Sequence, residues 1–517
     1  MGLGAEFQNK FLINSVRGIL MKNRNLAILI ILSLFMLLLT PLGSAIPANA
    51  AYAADNSYLQ EMMRFIKDRY YFELNEEQIT QGALKGMFQG LDDYSDFFTR
   101  EEAQVMLESV EGNYEGIGVA LSKVDNYVII GRVFPSSPAE SAGLLSGDRL
   151  VTVDKKDVLG YSVEQISTLI RGPKDSLVNL GIVRNDSKNV MEFRVKREDI
   201  KLNPVRYENR GGIGYIAINS FNSNTAEFLE AALEAAKKDG ISSLVLDLRD
   251  NTGGEVAQAV AVARHFVPAG PITTIKFKAA GMKDKVYTSE LSAPPYKLVV
   301  LVNGMTASAS EIVAGAIQDS QAGVLLGSKT YGKARVQAII PLLSPEAYQK
   351  YARLYPDSSL DSNEMLIHHG IQATDSEIMG WAKITTGIYT TPSGKYIDGQ
   401  GLLPNIKVSD PTPLNGLEIS NLMLLEKNSK PELNSSSLEV YNAEKILSAI
   451  GYDLDKPDMT LDIKTFNAIK KFQQEQRLYP SGILDFTTQD AMNQKRQELI
   501  NRYDQQYAQA VEYLQGR

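Results

Sequence analysis

A multidomain α/β protein is what this sequence predicts, and three observations predict it. The chain has 517 residues, enough for about three or four folded units at roughly 100–200 residues each. Hydrophobic residues make up 44% and charged residues 22% of it, ordinary proportions for a soluble globular protein. That balance excludes a wholly disordered chain and a multi-span membrane protein. From about 205 to 410, continuous apolar runs alternate with helical patterns, which predicts a mixed or parallel sheet with helices, buried on both faces.

Each element follows in chain order. Leu26 to Leu39 is an uninterrupted apolar run, preceded by Lys22 and Arg24 and followed by Ala48-Asn49-Ala50. This predicts a secretory signal peptide over 1–54. The run is shorter than the ~20 residues that span a bilayer, yet Pro41 and Gly43 could extend it into an uncleaved anchor. Either way the remainder is expected outside the cytoplasm. Residues 55–110 read helical, with Met62, Phe65, Ile66 and Tyr70 at helical spacing. Residues 111–200 are strand-rich (YVIIGRVF, DRLVTVD, LVNLGIVR), with one helix capped by Ser162 that puts Val163, Ile166 and Ile170 on one face. The α/β core spans 201–410. Residues 411–437 read as a linker, 438–492 as a small helical unit, and the charged, Gln-rich 493–517 as an extended helical tail.

Composition narrows the chemistry. The 53 basic and 61 acidic residues leave a net charge of −8, so there is no electrostatic case for nucleic acid. With no cysteine, disulfides, zinc-thiolate sites and a cysteine nucleophile are excluded. Histidine chemistry has only His265, His368 and His369 to draw on.

Three segments carry reactive groups. In KLVVLVNGMTASASEIVAGAIQDS a buried strand, Leu298 to Val302, ends in a small-residue turn, and a helix starts at Ser308 or Ser310. Open parallel sheets bind ligands at the carboxyl ends of their strands. A serine at a helix N-terminus has free amides and a partial positive field beside it, where an oxyanion would be stabilised. The alternative is a capping box, since Ser308-x-x-Glu311 fits S-x-x-E. In AGVLLGSKTYGKARVQ, Lys333 and Gln337 are four apart and can share a face. A free lysine is a poor base at neutral pH, but burial lowers its pKa because an ammonium loses hydration. The alternative is a solvated loop lysine. In LVLDLRDNTGGEVAQAV a strand gives way to Gly253-Gly254, whose unobstructed amides could supply one oxyanion donor with Ala309 as the other. A simple sharp turn is the alternative. A Ser-His-Asp triad through His265 is weak, because His265 falls mid-helix and no G-x-S-x-G elbow is present. The His368-His369 pair reads as solvated rather than metal-binding.

Together these segments resemble the carboxyl-terminal processing, or tail-specific, protease family. Gly304-Met305-Thr306-Ala307-Ser308-Ala309-Ser310-Glu311 is similar to its nucleophile segment G-S-A-S-A-S-E. Thr330 to Gln337 matches T-F-G-K-G-x-V-Q, and Asp247 to Gly254 matches D-L-R-x-N-x-G-G. Tyr389 to Gly394 and Gly401 to Pro404 resemble the closing segment. Met305-Thr306 and Ala334 depart from the pattern, and 341–380 looks longer than the family's usual connection. The resemblance implies a serine endopeptidase with a crotonase- or Clp-protease-like core. It implies a Ser308–Lys333 dyad supported by Gln337, with oxyanion donors from Gly253 or Gly254 and Ala309. It implies no metal or organic cofactor.

The strand-rich region resembles a PDZ domain. Tyr114-Glu115-Gly116-Ile117-Gly118-Val119 is similar to its carboxylate-binding loop, and Ser137 to Gly143 with Gly147-Asp148 to its later signature. This implies that Gly116, Ile117, Gly118 and Val119 bind the free C-terminus of a protein or peptide substrate, added as an extra strand. Arg171 resembles the arginine that couples this domain to the protease. Residues 438–492 resemble a three-helix peptidoglycan-binding domain, which implies wall association; simple docking is the alternative. Residues 58–100 resemble the family's N-terminal region, which implies a homodimer. A non-catalytic adaptor and an acyl-transfer enzyme on a related sheet are the competing classes.

Overall fold

The computed structural model describes residues 56–516, apart from 125–126, 185–188, 280–281, 418, 420–421, 426 and 428. The apolar run at 26–39 and its A-x-A site lie outside the described residues. Among the described residues no helix is long and apolar enough to cross a membrane. They fall into two compact units divided after Thr80. The first contains the helix Asn56–Arg69, on which Tyr58, Leu59, Met62 and Phe65 are all exposed. The second contains everything discussed below.

Its core is a six-stranded sheet. Val205–Arg210 and Ile213–Ile218 pair antiparallel, and Ser243–Asp247, Lys297–Val302, Val324–Gly327 and Ile406–Lys407 continue in parallel. Side chains alternate between faces along a strand, and both faces are buried. Ile216, Leu244, Leu246, Val300 and Val302 pack with residues of the helices Thr225–Lys238, Val256–Ala263 and Ala309–Asp319. Tyr215, Val245, Val299 and Leu301 pack instead with Tyr507, Ala510 and Leu514 of the helix Gln505–Gln515. The crossover helices therefore cover one face, and the end of the chain covers the other.

A second, antiparallel sheet orders Asp96–Thr99, Ile378–Thr390, Gly270–Phe277 and Lys285–Ser289, with Arg335–Leu343 also paired to Ile378–Thr390. The long connection at 341–380 extends this hairpin. It carries the helices Pro345–Ala352 and Ser362–His369 around a small core of Leu343, Ala347, Tyr351, Met365 and Ile378.

The strand-rich region forms its own sheet of six strands between Val119 and Lys196, with the helix Val163–Ile170 packed on a shared core. Buried Arg197 satisfies the end of that helix, donating to the carbonyls of Ile170 at 2.6 Å and Leu169 at 3.1 Å. Farther on, the helices Leu438–Ala449, Ile463–Glu475 and Phe486–Tyr503 enclose Ile446, Leu447, Phe472 and Met492. The last of these runs on to bury Leu499 and Ile500 against the core sheet. The stretch 411–437 is also packed: Ile419 and Leu422 join the sheet face, and Leu425 joins the helical unit.

Candidate active site

The strand Lys297–Val302 delivers the chain to Ser308, which caps the helix Ala309–Asp319. Ser308 has φ 55° and ψ −117°, a left-handed conformation that costs a non-glycine residue of order 1–3 kcal/mol and is kept where surroundings over-determine it. The surroundings do so here. The Asn251 carbonyl accepts from the Ala307 amide at 3.0 Å and the Ser310 hydroxyl at 2.9 Å, one on each side of Ser308. The Thr306 hydroxyl donates to the Leu248 carbonyl at 2.8 Å. The Glu311 amide donates to the Ser308 carbonyl at 2.8 Å, and Ser308 and Glu311 form the capping box that the S-x-x-E spacing allows.

Glu311 is fully buried and its carboxylate accepts four bonds. Oε1 takes the Thr330 hydroxyl at 2.5 Å and the Gly332 amide at 2.8 Å. Oε2 takes the Ser308 amide at 2.9 Å and the Lys333 amide at 2.8 Å. One oxygen thus anchors both backbones. Burial pushes the Glu311 pKa up against the pull of these donors. The Tyr389 hydroxyl repeats the bridge on the carbonyl side, 3.0 Å from Ser308 O and 2.8 Å from Lys333 O. Ser308 and Lys333 are therefore neighbours held at two points.

Lys333 is half-buried. Its Nζ lies 4.4 Å from the centroid of the Tyr94 ring and has no hydrogen-bonding or ion-pair partner among the described residues. Burial lowers its pKa, and the Lys383 ammonium lowers it further; Asp92 and Asp398 oppose them. Gln337 follows a bulge in its strand, and its Nε2 donates to Thr385 Oγ1 at 3.0 Å.

The Gly253-Gly254 turn sits against the serine. A Cβ on Gly253 would lie 2.9 Å from Ser308 Cβ and 3.0 Å from the Ala309 amide, and φ is +105° there, so only glycine fits. The Gly253 amide is spent on Asn251 Oδ1 at 2.9 Å. The amides of Gly254 and Ala309 have no acceptor among the described residues.

His265 is not brought to Ser308: its Nε2 lies 3.8 Å from Glu230 Oε1. His369 stacks on Tyr355 with centroids 4.4 Å apart. Among the described residues no group of His, Asp and Glu could hold a metal ion.

In the strand-rich region the carbonyls of Ile117 and Gly118 accept from Ala139 and Phe134, both at 2.9 Å, so the loop Gly116–Val119 is fixed by its oxygens. Arg171 lies 4.9 Å from the Tyr114 ring and pairs with Glu108 of the helix Arg100–Glu111. Glu311 as a joint, Tyr389 as a second bridge, and Tyr94, Lys383 and Asn251 as neighbours were not singled out from the sequence. Glu311 left a trace as the fourth residue of S-x-x-E, and Asn251 and Tyr389 fell inside the matched motifs without a role.

A strained serine at the end of a parallel strand, its backbone joined to that of a half-buried lysine with no ionic partner among the described residues, is an arrangement compatible with a serine protease, and a separate sheet accompanies it. Comparison with known proteins agrees. Residues 212–408 match the model of "Peptidase family S41", 129–184 that of the PDZ domain, and 436–492 that described as "Putative peptidoglycan binding domain". The chain is 30% identical over 460 residues to a "Probable CtpA-like serine protease" of Staphylococcus epidermidis, covering 88% of this chain and 85% of that one. It is 29% identical over 490 residues to "Carboxy-terminal processing protease CtpA" of Bacillus subtilis, covering 94% and 96%. Among solved structures it is similar to a photosystem II D1 C-terminal processing protease, at 27% identity and a TM-score of 0.36 over 68% of this chain and 86% of that one. The protein belongs to the carboxy-terminal processing serine proteases of peptidase family S41.

Proposed function

We propose that this chain is an exported endopeptidase that cuts substrates recognised by their C-terminal tails, using Ser308 as nucleophile and neutral Lys333 as general base. The observation that carries the reading is the single Glu311 oxygen that accepts both the Ser308 and the Lys333 amide. Ser308 Oγ attacks the scissile carbonyl while Lys333 takes its proton. The oxyanion forms against the amides of Ala309 and Gly254, neither of which has an acceptor among the described residues. Gly253 serves by lacking a side chain. Lys333 then protonates the leaving amine, and water releases the acyl-enzyme. Gln337 orders the wall of the site through Thr385.

The substrate tail adds as a strand beside Val119–Val124, its carboxylate on the amides of the Gly116–Val119 loop. Arg171 reports that occupancy to the helix bearing Glu108. The exposed apolar side chains of Asn56–Arg69 suit a homodimer contact, and the helical unit at 438–492 suits wall binding. The test is turnover of a peptide with a free or an amidated C-terminus by wild type, Ser308→Ala and Lys333→Ala. Both variants are expected to lose at least about 10³-fold in kcat while still binding the tail. Retained turnover in Ser308→Ala refutes the nucleophile, and equal rates on the two peptides refute tail recognition.

A further inference from the structure

The end of the chain reaches the bed on which the Ser308 turn rests. Four consecutive residues, Leu248 to Asn251, make that bed. Leu248 accepts from the Thr306 hydroxyl at 2.8 Å. Asp250, at φ +59°, exchanges two bonds with Asn303, of 3.0 Å from its amide and 2.8 Å to its Oδ1. Asn251 holds Ala307 and Ser310. The fourth, Arg249, sends its side chain elsewhere. Its Nη1 and Nη2 donate to Asp504 Oδ1 and Oδ2, each at 2.9 Å, and Nη1 also reaches Gln506 Oε1 at 3.2 Å. Its remaining edge meets Asp247, with Nε 3.0 Å from both carboxylate oxygens and Nη2 2.6 Å from Oδ2.

This lock is buried and directional. The side chains of Arg249, Asp247 and Asp504 are 5%, 7% and 2% exposed. Asp247 also accepts the Tyr215 hydroxyl at 2.7 Å, and Asp504 caps the final helix by accepting the Tyr507 amide at 3.0 Å. Asp247 alone would already balance the guanidinium charge. A second carboxylate on the outer edge adds geometry, because a bidentate fork fixes the plane of the guanidinium. Apolar packing would dock a helix on this sheet at no greater cost than a buried ion pair, and the same helix does dock through Tyr507, Ala510 and Leu514. The ion pair falls where the helix comes opposite the root of the Gly-Gly turn.

We propose that Asp504 is a positioning residue for the reaction at Ser308: through Arg249 it sets the 248–254 bed, and with it the Gly254 amide. The proposal rests on the serine–lysine reading above. The tail is then a working part of the protease core rather than a tether. Because the helix Phe486–Tyr503 leads from the core of the helical unit directly to Asp504, the two units are coupled at this residue.

The test uses the full chain and compares wild type, Asp504→Asn and Asp504→Glu on one peptide substrate, together with the rate of Ser308 labelling by a fluorophosphonate probe. Asp504→Asn is expected to lower kcat about 10–100-fold, the scale set by a small misplacement of a reacting group. KM should stay within about twofold and the pH profile should keep its shape, since neither the tail site nor Lys333 is touched. Asp504→Glu, which restores the carboxylate, is expected to recover part of the loss. A kcat within twofold of wild type for folded Asp504→Asn, or a loss confined to its melting temperature, overturns the proposal. If Asp504→Asn does not give a cooperative melt, Gln506→Ala removes one bond to the same guanidinium. A roughly two- to fivefold loss in kcat supports the proposal, and unchanged kcat overturns it. Turnover that survives Ser308→Ala would instead refute the underlying reading, so the two failures are distinguishable.

Discussion

The two halves of the site are built on opposite logic. Ser308 comes from the parallel sheet, and its position is written in hydrogen bonds: Asn251, Leu248 and Glu311 account for the turn on both sides of a strained φ of 55°. Lys333 comes from the loop entering the antiparallel hairpin, and its side chain is defined by what it lacks. Its ammonium has a Tyr94 ring beneath it, a second cation at Lys383, and no carboxylate in ion-pair contact among the described residues. On the proposed serine–lysine mechanism, position is secured by bonds that are made and reactivity by bonds that are withheld, since a paired lysine would keep its proton. The halves meet through Glu311 and Tyr389, and through the Tyr331 amide, which donates to the Thr306 carbonyl at 3.0 Å.

Breaking that meeting point should give the largest effect. Glu311 accepts four bonds and donates none. Glu311→Gln places an amide NH₂ against N–H or O–H groups, which leaves at least one buried donor unsatisfied. It is expected to cut kcat about 10²–10³-fold, the range found when an oxyanion donor is lost. Ser308 labelling by a fluorophosphonate should slow in parallel. If kcat survives, the shared oxygen is not what holds the halves together, and the comparison above fails at its joint.

How far this was legible in the sequence differs between the halves in the same way. The parallel strands, the crossover helices and the small-residue turn before Ser308 announce themselves by pattern, because a buried strand must be apolar throughout and a helix must change period. The S-x-x-E spacing was also visible, and it allowed capping as readily as catalysis. What it could not convey is that Glu311 turns its carboxylate to the Lys333 loop, a contact 22 residues away. The second cover of the sheet was hidden for a related reason. Residues 493–517 are rich in Gln and charge, and read as an extended helix. Tyr507, Ala510 and Leu514 are three or four apart, yet only the fold supplies the apolar sheet face that they bury. Arg249 belonged to a matched motif, but its partner Asp504 lies 255 residues downstream, beyond any periodicity.

Tyr389→Phe sharpens the comparison at smaller scale. The ring is 1% exposed, and phenylalanine keeps its packing while deleting the bonds to Ser308 O and Lys333 O. One hydroxyl proton shared between two carbonyls, worth about 0.5–1.5 kcal/mol, predicts a kcat loss of roughly 2–10-fold with KM held. Less than a twofold change would mean that Glu311 and the Tyr331–Thr306 bond suffice without it.

The smallest effect should come from the electrostatics around Lys333, and its sign is the informative part. If Lys333 acts as a neutral amine, kcat/KM rises with pH as Lys333 loses its proton. The Lys383 ammonium holds that pKa down alongside burial, whereas Asp92 and Asp398 hold it up. Lys383→Met therefore moves the acid limb of the profile to higher pH, with a loss on the order of a few-fold at pH 7 and an unchanged plateau in alkali. Asp92→Asn moves the same limb the other way and raises the rate at pH 7. Shifts of the same sign in both variants, or none in either, would show that the limb belongs to another group and that the unpartnered amine is not the base.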